Sequence, residues 1–350
     1  MRRINIEVPE VVRMKAGALD RLGLYIARTG LRKAVLLHSQ ELQQTILDTA
    51  LASLKQHGIE VAGRCEVTEA SVENVVRILG GLPKGARVIA GLGGGKALDV
   101  AKYVALLADL PYFAVPTSLS NDGFCSPQSS LFLQSQRKSF PTRLPHAVIV
   151  DLGVCSRAPL PLWHSGVGDL TAKLTAVFDW KLAFHARGTP VNDLAALLSN
   201  ATVYQFLASP TRDEDGIRLL ATALMLNGVS MEIAGSSRPA SGSEHLISHA
   251  LDMLNARPVL HGIQTGTAAY IVSRLQNGGH HERIADLFTR TGFWDTVRQH
   301  PFSRQEWRAA VQLAPSLKED FYTVLSDRDW WPDIERMIEE DPNLRVSFEG

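Results

Sequence analysis

Ser243-Glu-His-Leu-Ile-Ser-His249 places two imidazoles, His245 and His249, four residues apart. On a helix that spacing puts both on one face, as metal sites require. Glu244 precedes the first histidine, so the stretch is not the H-E-x-x-H pattern of zinc proteases. His261 follows, with Pro258 between to break the helix, so His261 begins a second helix that can fold back. Asp169, in Gly-Val-Gly-Asp-Leu, reads as the start of an earlier helix behind two glycines. One carboxylate with two or three imidazoles suits Zn²⁺ or another borderline divalent ion, with a position left open for substrate. Spacing alone does not say which two of the three histidines are ligands. Taken singly, each of these residues is more often a buried, satisfied side chain or a cap.

A second group of residues has phosphate chemistry. Gly91-Leu-Gly-Gly-Gly-Lys-Ala-Leu-Asp99 follows a strand-like run, Ala86 to Ala90, and opens a helical pattern. Glycines at 93, 94 and 95 let the backbone approach a ligand, and the helix start offers unpaired N–H groups and a partial positive charge. Together they make a cradle for a phosphate or pyrophosphate. The spacing is neither G-x-G-x-x-G nor a P-loop, and a tight turn is the plain alternative. Asp99 and Lys102 read as a solvated helix face. Thr117-Ser-Leu-Ser-Asn-Asp-Gly-Phe-Cys-Ser126 follows a further strand, Pro111 to Pro116. Hydroxyls at Thr117, Ser118 and Ser120 can bond a nicotinamide or a phosphate, and Asp122 is a charged acceptor. A surface loop with an Asp–Gly turn is the ordinary reading. Two such loops at successive strand ends favour a site, because open α/β sheets bind ligands at that edge.

The elements that must position these residues fall into two kinds. Up to about residue 150, strand-like and helix-like segments alternate: Lys33 to His38, Gln40 to His57, Ile59 to Val67, Val72 to Leu79 behind a Ser71 cap, and Lys96 to Ala108. That order predicts a parallel sheet covered by helices. Leu131 to Phe132 and Ala147 to Val150 are expected to pair with each other across a basic stretch. In that stretch Arg137, Lys138 and Arg143 are candidate phosphate anchors, with solvation the more ordinary role. Beyond Asp151 the character changes to long helical patterns, and all six tryptophans lie there. The expected division is a Rossmann-like α/β domain at 1–155 and an all-α domain at 156–350, with the active site between them. With 350 residues, 45% of them apolar, there is material for two cores. The 36 basic and 36 acidic side chains cancel, which argues against a nucleic-acid partner bound through a broad basic field. Cys65, Cys125 and Cys155 are too scattered for a disulfide scaffold or a cysteine zinc site. No apolar run approaches membrane length and the N-terminus has no signal-peptide core, so the expectation is a soluble cytoplasmic protein without membrane insertion.

Five stretches in order, GLGGGKALDVAKY, PTSLSNDGFCSP, GVGDLTAKLTAVFDW, SGSEHLISHALD and HGIQTG, resemble the iron-type alcohol dehydrogenase and dehydroquinate synthase superfamily. The best match is to its sn-glycerol-1-phosphate dehydrogenase branch, over about Lys33 to Gln264. The resemblance implies metal-dependent, NAD(P)H-linked, reversible reduction of dihydroxyacetone phosphate to sn-glycerol-1-phosphate, a step of phospholipid metabolism. It implies that Gly93, Gly94, Gly95, Lys96, Asp99, Thr117, Ser118, Ser120 and Ser126 contact NAD or NADP. It also implies that Asp169, His245 and His261 hold one divalent metal, with zinc first and nickel or iron as alternatives. Asp122, Asp169 and His249 would contact substrate, with His249 and Asp122 serving the proton transfer. A phosphorylated triose is the implied small-molecule partner, and a homo-oligomer is expected. Asn121 departs from relatives, which often carry His there. Rival readings are a glycerol or polyol dehydrogenase on an unphosphorylated substrate, a dehydroquinate synthase-like cyclase for which Lys173 is the one obvious extra lysine, and a non-catalytic nucleotide sensor.

Overall fold

Strands whose side chains are buried on both faces form the interior of a parallel sheet, because helices cover both of its sides. In the computed structural model, which describes residues 6–134, 136–255 and 259–349, six strands build one sheet, the four inner ones buried on both faces and the two at the edges largely not. They are β1 (Val11–Lys15), β2 (Lys33–Ser39), β3 (Glu60–Val67), β4 (Val88–Gly93), β5 (Tyr112–Pro116) and, after a hairpin of β6 (Gln128–Leu133) and β7 (Gln136–Pro141), β8 (Ala147–Asp151). The sheet order is β1-β8-β5-β4-β2-β3, and every neighbouring pair is parallel. Alternate residues feed two cores. Leu36, Val88, Ala90 and Phe113 pack with α1 (Leu22–Arg28) and α2 (Gln44–Gln56). Val35, Leu37, Ile89 and Ala114 pack with α3 (Val72–Gly80) and α4 (Gly95–Leu107). Ser71 caps α3 as its position predicts, accepting from Asn74 N–H.

The expected pairing of residues 131–132 with 147–150 is not what forms. β6 pairs antiparallel with β7, and β8 lies between β1 and β5. The reason is burial: all five β8 residues are inside, whereas β7 alternates towards solvent.

The chain packs as two compact units, Met1–Ala158 with Arg212–Glu232, and Pro159–Thr211 with Ile233–Gly350. After α5 (Leu152–Ser156) the second unit opens with α6 (Leu160–Arg187) and α7 (Asp193–Ala208). α8 (Glu214–Ala234) returns to the first unit for most of its length. There Gly228 lies so close to the 122–126 loop that a Cβ would sit 1.5 Å from Cys125 O. α8 is the one helix among the described residues long and apolar enough to cross a membrane, and that contact marks it as a core helix. The second unit continues with α9 (Ser243–Leu254), α10 (His261–Leu275) and five shorter helices. It is helical as expected, except for one parallel pair of two-residue strands at 302–303 and 348–349. Pro258 and the first five residues of the N-terminal stretch lie outside the described residues.

α6 does not begin at Asp169. It starts at Leu160, capped by Pro159 with Pro161 in its first turn, so Asp169 is mid-helix. The glycines before Asp169 serve a different purpose. A Cβ on Gly168 would lie 2.0 Å from Gly262 O, and one on Gly262 would lie 1.7 Å from Ser165 O. A Cβ on Gly266 would lie 2.7 Å from the Cα of Gly168. Missing side chains let α6 and α10 cross in backbone contact, which brings Asp169 to His261.

Candidate active site

In the first unit the carboxyl ends of β2 and β4 meet where the strand order reverses, the ligand edge of such sheets. Gly93 has φ +141°, a conformation open to glycine, and a Cβ there would lie 2.0 Å from Ser39 Oγ. Ser39 Oγ instead accepts from Gly94 N–H at 3.0 Å. Gly94 precedes α4 with no side-chain cap, and a Cβ on it would meet nothing within 4 Å. The first turn of α4 therefore faces open space with its N–H groups unclaimed by a cap. That is the geometry a dinucleotide pyrophosphate fits. Lys96 is exposed in the same turn.

The loop after β5 is tied to α4 by a lysine that the sequence reading leaves in solvent. Lys102 is 2% exposed. Its ammonium donates to Gly123 O at 2.7 Å, Ser126 O at 3.2 Å and Ser126 Oγ at 3.4 Å, and pairs with Asp99 at 3.4 Å. A helix of small residues packed under a hairpin leaves no route to water, so the expected solvated face is instead an internal tether. Burial raises the Asp99 pKa, against the lowering charges of Lys102 and Arg137. Ser118 and Ser126 are buried, and Ser126 Oγ donates to Gln128 O. Thr117, Ser120 and Asp122 are half-buried at the loop surface. Thr117 N–H donates to Gly93 O at 3.0 Å, which joins the two loops. Asn121, the departure from relatives, caps the turn at 122–125 by accepting from Gly123 N–H. Replacing Lys102 with methionine is expected to cost about 3 kcal/mol in urea unfolding, since it leaves a half-buried carboxylate and two carbonyls without their cation.

In the second unit the structure brings Asp169, His245 and His261 together, with ligand atoms within 4.8 Å of one another. His245 Nε2 is 3.4 Å and His261 Nε2 4.0 Å from Asp169 Oδ1. The tautomers follow from the neighbours. His245 Nδ1 lies 2.9 Å from Glu244 Oε1, a carboxylate that can only accept. His261 Nδ1 lies 3.0 Å from Ser248 Oγ, whose own proton goes to Gln264 Oε1 at 2.6 Å. Both Nδ1 atoms are thus donors, and both Nε2 lone pairs face the Asp169 carboxylate. Outer hydrogen bonds of this kind orient metal-ligating histidines. The donor set fits a divalent ion. His249 stands apart, half-buried, with its ring 6.5 Å from His245 and 6.1 Å from His261.

Burial would raise the Asp169 pKa, but Lys173 and the two histidines outweigh it and hold the carboxyl well below its ordinary value. Lys173 Nζ, wholly buried, is 3.0 Å from Asp169 Oδ1 and donates to Ala240 O at 3.3 Å. His245 moves the other way. Burial lowers it, yet Asp169 and Glu244 stabilise the protonated ring and leave its pKa raised, so the neutral form that a metal needs is reached by loss of the Nε2 proton. The sequence reading missed Glu244, Ser248 and Gln264 as orienting groups; their signal is position beside the histidines inside the same two motifs.

Asp179 anchors the start of α9. It accepts from Ser243 N–H at 2.7 Å, Ser243 Oγ at 2.6 Å and Val324 N–H at 2.9 Å. Burial, then the charge of Glu244, pushes its pKa up to about 6. The folded protein therefore keeps a proton here that the unfolded chain releases near pH 4, and stability from this group falls as pH rises from 4 through 6. In urea unfolding, the wild type should gain on Asp179→Asn as pH drops from 7 to 4.5; an unchanged gap would contradict the buried-pair account.

The fold and these two sites define a class, the two-unit oxidoreductases with a dinucleotide edge and a helical metal half. The family model for iron-containing alcohol dehydrogenases matches residues 13–159. Solved structures of the same fold include a glycerol dehydrogenase from Schizosaccharomyces pombe (TM-score 0.77, 18% identity, covering 99% of this chain and 92% of that one). A 1,3-propanediol oxidoreductase is another (TM-score 0.71, 19% identity, 99% and 100% covered). Proteins named glycerol-1-phosphate dehydrogenase [NAD(P)+] are closer in sequence. The one from Methanothermobacter thermautotrophicus is 36% identical over 80% of this chain and 81% of its own, and that from Metallosphaera sedula 33% identical over 96% and 97%. That from Aeropyrum pernix is 35% identical over 93% and 94%. This chain belongs to the glycerol-1-phosphate dehydrogenase family of iron-containing alcohol dehydrogenases.

Proposed function

We propose that this chain catalyses the reversible NAD(P)H-linked reduction of dihydroxyacetone phosphate to sn-glycerol-1-phosphate, with one divalent metal held by Asp169, His245 and His261. The observation that carries the metal assignment is the pair of Nε2 lone pairs fixed towards one carboxylate by Glu244 and Ser248. The family relatives, at 31–36% identity, carry the substrate assignment. When bound, the nicotinamide supplies the hydride and the divalent ion supplies Lewis acidity to a carbonyl oxygen.

The chain's own residues do the rest. The turn at Gly93 to Gly95 and the start of α4 hold the pyrophosphate through backbone N–H groups. Thr117, Ser118 and Ser120 present hydroxyls on the neighbouring loop, and Lys102 and Ser126 keep that loop in shape. Lys173 keeps Asp169 ionised, so the carboxylate itself is ready to take a cation. His249 is the one imidazole of the cluster outside the donor set, and histidine exchanges protons near neutral pH. It delivers the proton that the developing alkoxide needs, with Asp122 a substrate contact from the loop. β2 ends in Ser39, followed by Gln40 and then Glu41, so the strand end itself carries no carboxylate to bar a 2′-phosphate.

The test follows NADH and NADPH oxidation with dihydroxyacetone phosphate and with dihydroxyacetone, each with Zn²⁺, Ni²⁺ or Fe²⁺ and without metal. Metal-dependent oxidation with the phosphorylated ketone, well above that with the free one, is expected. Equal rates on the two ketones would assign a polyol dehydrogenase, and phosphate release without net oxidation would assign a cyclase.

A further inference from the structure

α7 lies at the surface of the second unit, yet it has no charged side. From Leu194 to Thr211 the chain carries no charged residue. The inner face of the helix is ordinary. Ala195, Ala196, Ser199, Val203 and Phe206 are buried, and the two alanines pack with Val177 and Trp180 of α6. The outer face is formed by Leu194, Leu197, Ala201, Tyr204 and Ala208, with Gln205 beside them, and all are exposed. Leu194 is 61% and Leu197 66% exposed. A surface helix ordinarily turns polar and charged residues to water, and one that is apolar on both sides belongs in contact with something more. The neighbouring α11 (His281–Thr291) keeps the ordinary pattern, with Glu282, Arg283, Asp286 and Arg290 exposed.

The spacing of the bare residues says what covers them. Leu194, Leu197, Ala201, Tyr204 and Ala208 recur at intervals of three, four, three and four. That alternation is the seam by which one helix packs lengthwise on another. Ala201 stands at its middle, where a small side chain lets two helix axes come close. The two ends of the seam differ. Two leucines project at the amino end, beside an exposed Asp193. At the carboxyl end α7 and α11 border a shallow groove of about 410 Å³, lined by Tyr204, Leu207, Ala208, Glu282, Arg283 and Asp286. Arg283 donates to Tyr204 Oη there at 3.1 Å. Among the described residues neither Asp193 nor Arg283 has an ion-pair partner, while Asp286 is held by Arg290 at 3.3 Å. A helix of this same sequence, laid antiparallel over the face, answers each feature. Its leucines meet the groove, its Asp193 meets Arg283, and its Ala201 meets Ala201.

We propose that α7 pairs antiparallel with α7 of a second copy of this chain, across a two-fold axis at Ala201. The same surface then serves both partners, as a closed two-fold interface requires. The seam is free of charge, so self-pairing sets no like charges against each other along it. Its five residues leave on the order of 400 Å² bare in each copy, the size at which a patch on a soluble protein marks a contact. Doubled, and with Leu198, Leu207 and the groove walls added, this approaches the about 1,200 Å² at the lower end of stable interfaces. A bilayer fits the face less well. Glu282 and Asp286 stand among Arg283 and Arg290 on its border, where an anionic membrane calls for basic residues alone.

The test is the mass of the full-length protein in sedimentation at about 1–100 μM, a range that spans weak and firm association. Wild type should sediment as a dimer or a larger even assembly. Ala201→Glu sets two carboxylates face to face on the axis and should halve that mass, or raise the dissociation constant about 100-fold or more. Ala201→Ser, small and neutral, should sediment as wild type does. Asp193→Arg should weaken association about 10-fold, and adding Arg283→Asp should restore it, a rescue specific to antiparallel pairing. Ala201→Cys in a Cys65→Ser background reads the axis without a new charge: a short bis-maleimide should join two copies. Should Ala201→Glu lose its helical circular dichroism, this cross-link decides. A wild type that stays monomeric throughout, a folded Ala201→Glu protein of unchanged mass, or copies that the reagent leaves unjoined would each overturn the pairing. A monomeric wild type that floats with phosphatidylglycerol vesicles would overturn it too, and would assign the face to a membrane.

Discussion

His261→Ala is expected to leave the purified protein without its metal and to lower turnover on the order of 10³-fold or more, the several kcal/mol that a Lewis acid contributes. His245→Ala should do the same. Each removes one of two Nε2 lone pairs aimed at Asp169 Oδ1, and the remaining imidazole and carboxylate make a two-point site. NADH binding should persist in both, because the glycine turn and the 117–126 loop belong wholly to the first unit. Elemental analysis of the purified variants and fluorescence titration with NADH separate the two effects. His249→Ala is the control that keeps metal stoichiometry and loses rate. Full activity in a metal-stripped His261→Ala protein would end the metal assignment.

The second large effect is expected from a residue with no side chain. Gly262→Ala puts a methyl carbon 1.7 Å from Ser165 O, a separation that only movement of one helix can relieve. Ser165 also accepts from Gly262 N–H through its hydroxyl at 3.1 Å, so the crossing is pinned on both sides. Overpacking of this kind costs about 1–3 kcal/mol or more. The functional cost is larger, since His261 precedes Gly262 directly and Asp169 follows Gly168. A shift of about 1 Å in a reacting group can cost on the order of 10²-fold in rate. Metal affinity and turnover should therefore fall together by about that factor, with the unfolding midpoint lowered and NADH affinity unchanged. A variant with wild-type metal affinity would show that the crossing has slack.

Much of the arrangement is legible in the residues themselves. The aliphatic strands, the Ser71 cap, the glycine turn and the helical second half follow from local pattern, and local pattern is what a single chain displays. The position of β8 is not local. Its run of apolar residues is compatible with a hairpin partner or with the middle of a sheet, and only burial on both faces decides between them. The glycines around Asp169 and His261 announce a tight backbone, and read alone they suggest a helix start; in the fold they are the contact between α6 and α10. Lys102 shows the same limit for charge. Its spacing from Asp99 is that of a surface pair, yet its length lets it reach under the 122–126 loop. Least legible is the meeting of Arg238 and Lys318 at one ring, Phe321, because the two cations lie far apart in the sequence.

The return of α8 to the first unit has a consequence for how the protein is made. The chain leaves that unit after Ala158, comes back for Arg212–Glu232 and leaves again. Gly228, within that returning piece, supports the loop that carries Asp122 and Ser126. A nascent chain emerging from the ribosome at about 5–20 residues per second can assemble the sheet early, yet it lacks the buttress of its coenzyme loop until the helix has been synthesised. The two halves are accordingly not interchangeable genetic cassettes. A gene fragment ending at Ala158 encodes the strands and the glycine turn, but not the helix against which the neighbouring loop is seated.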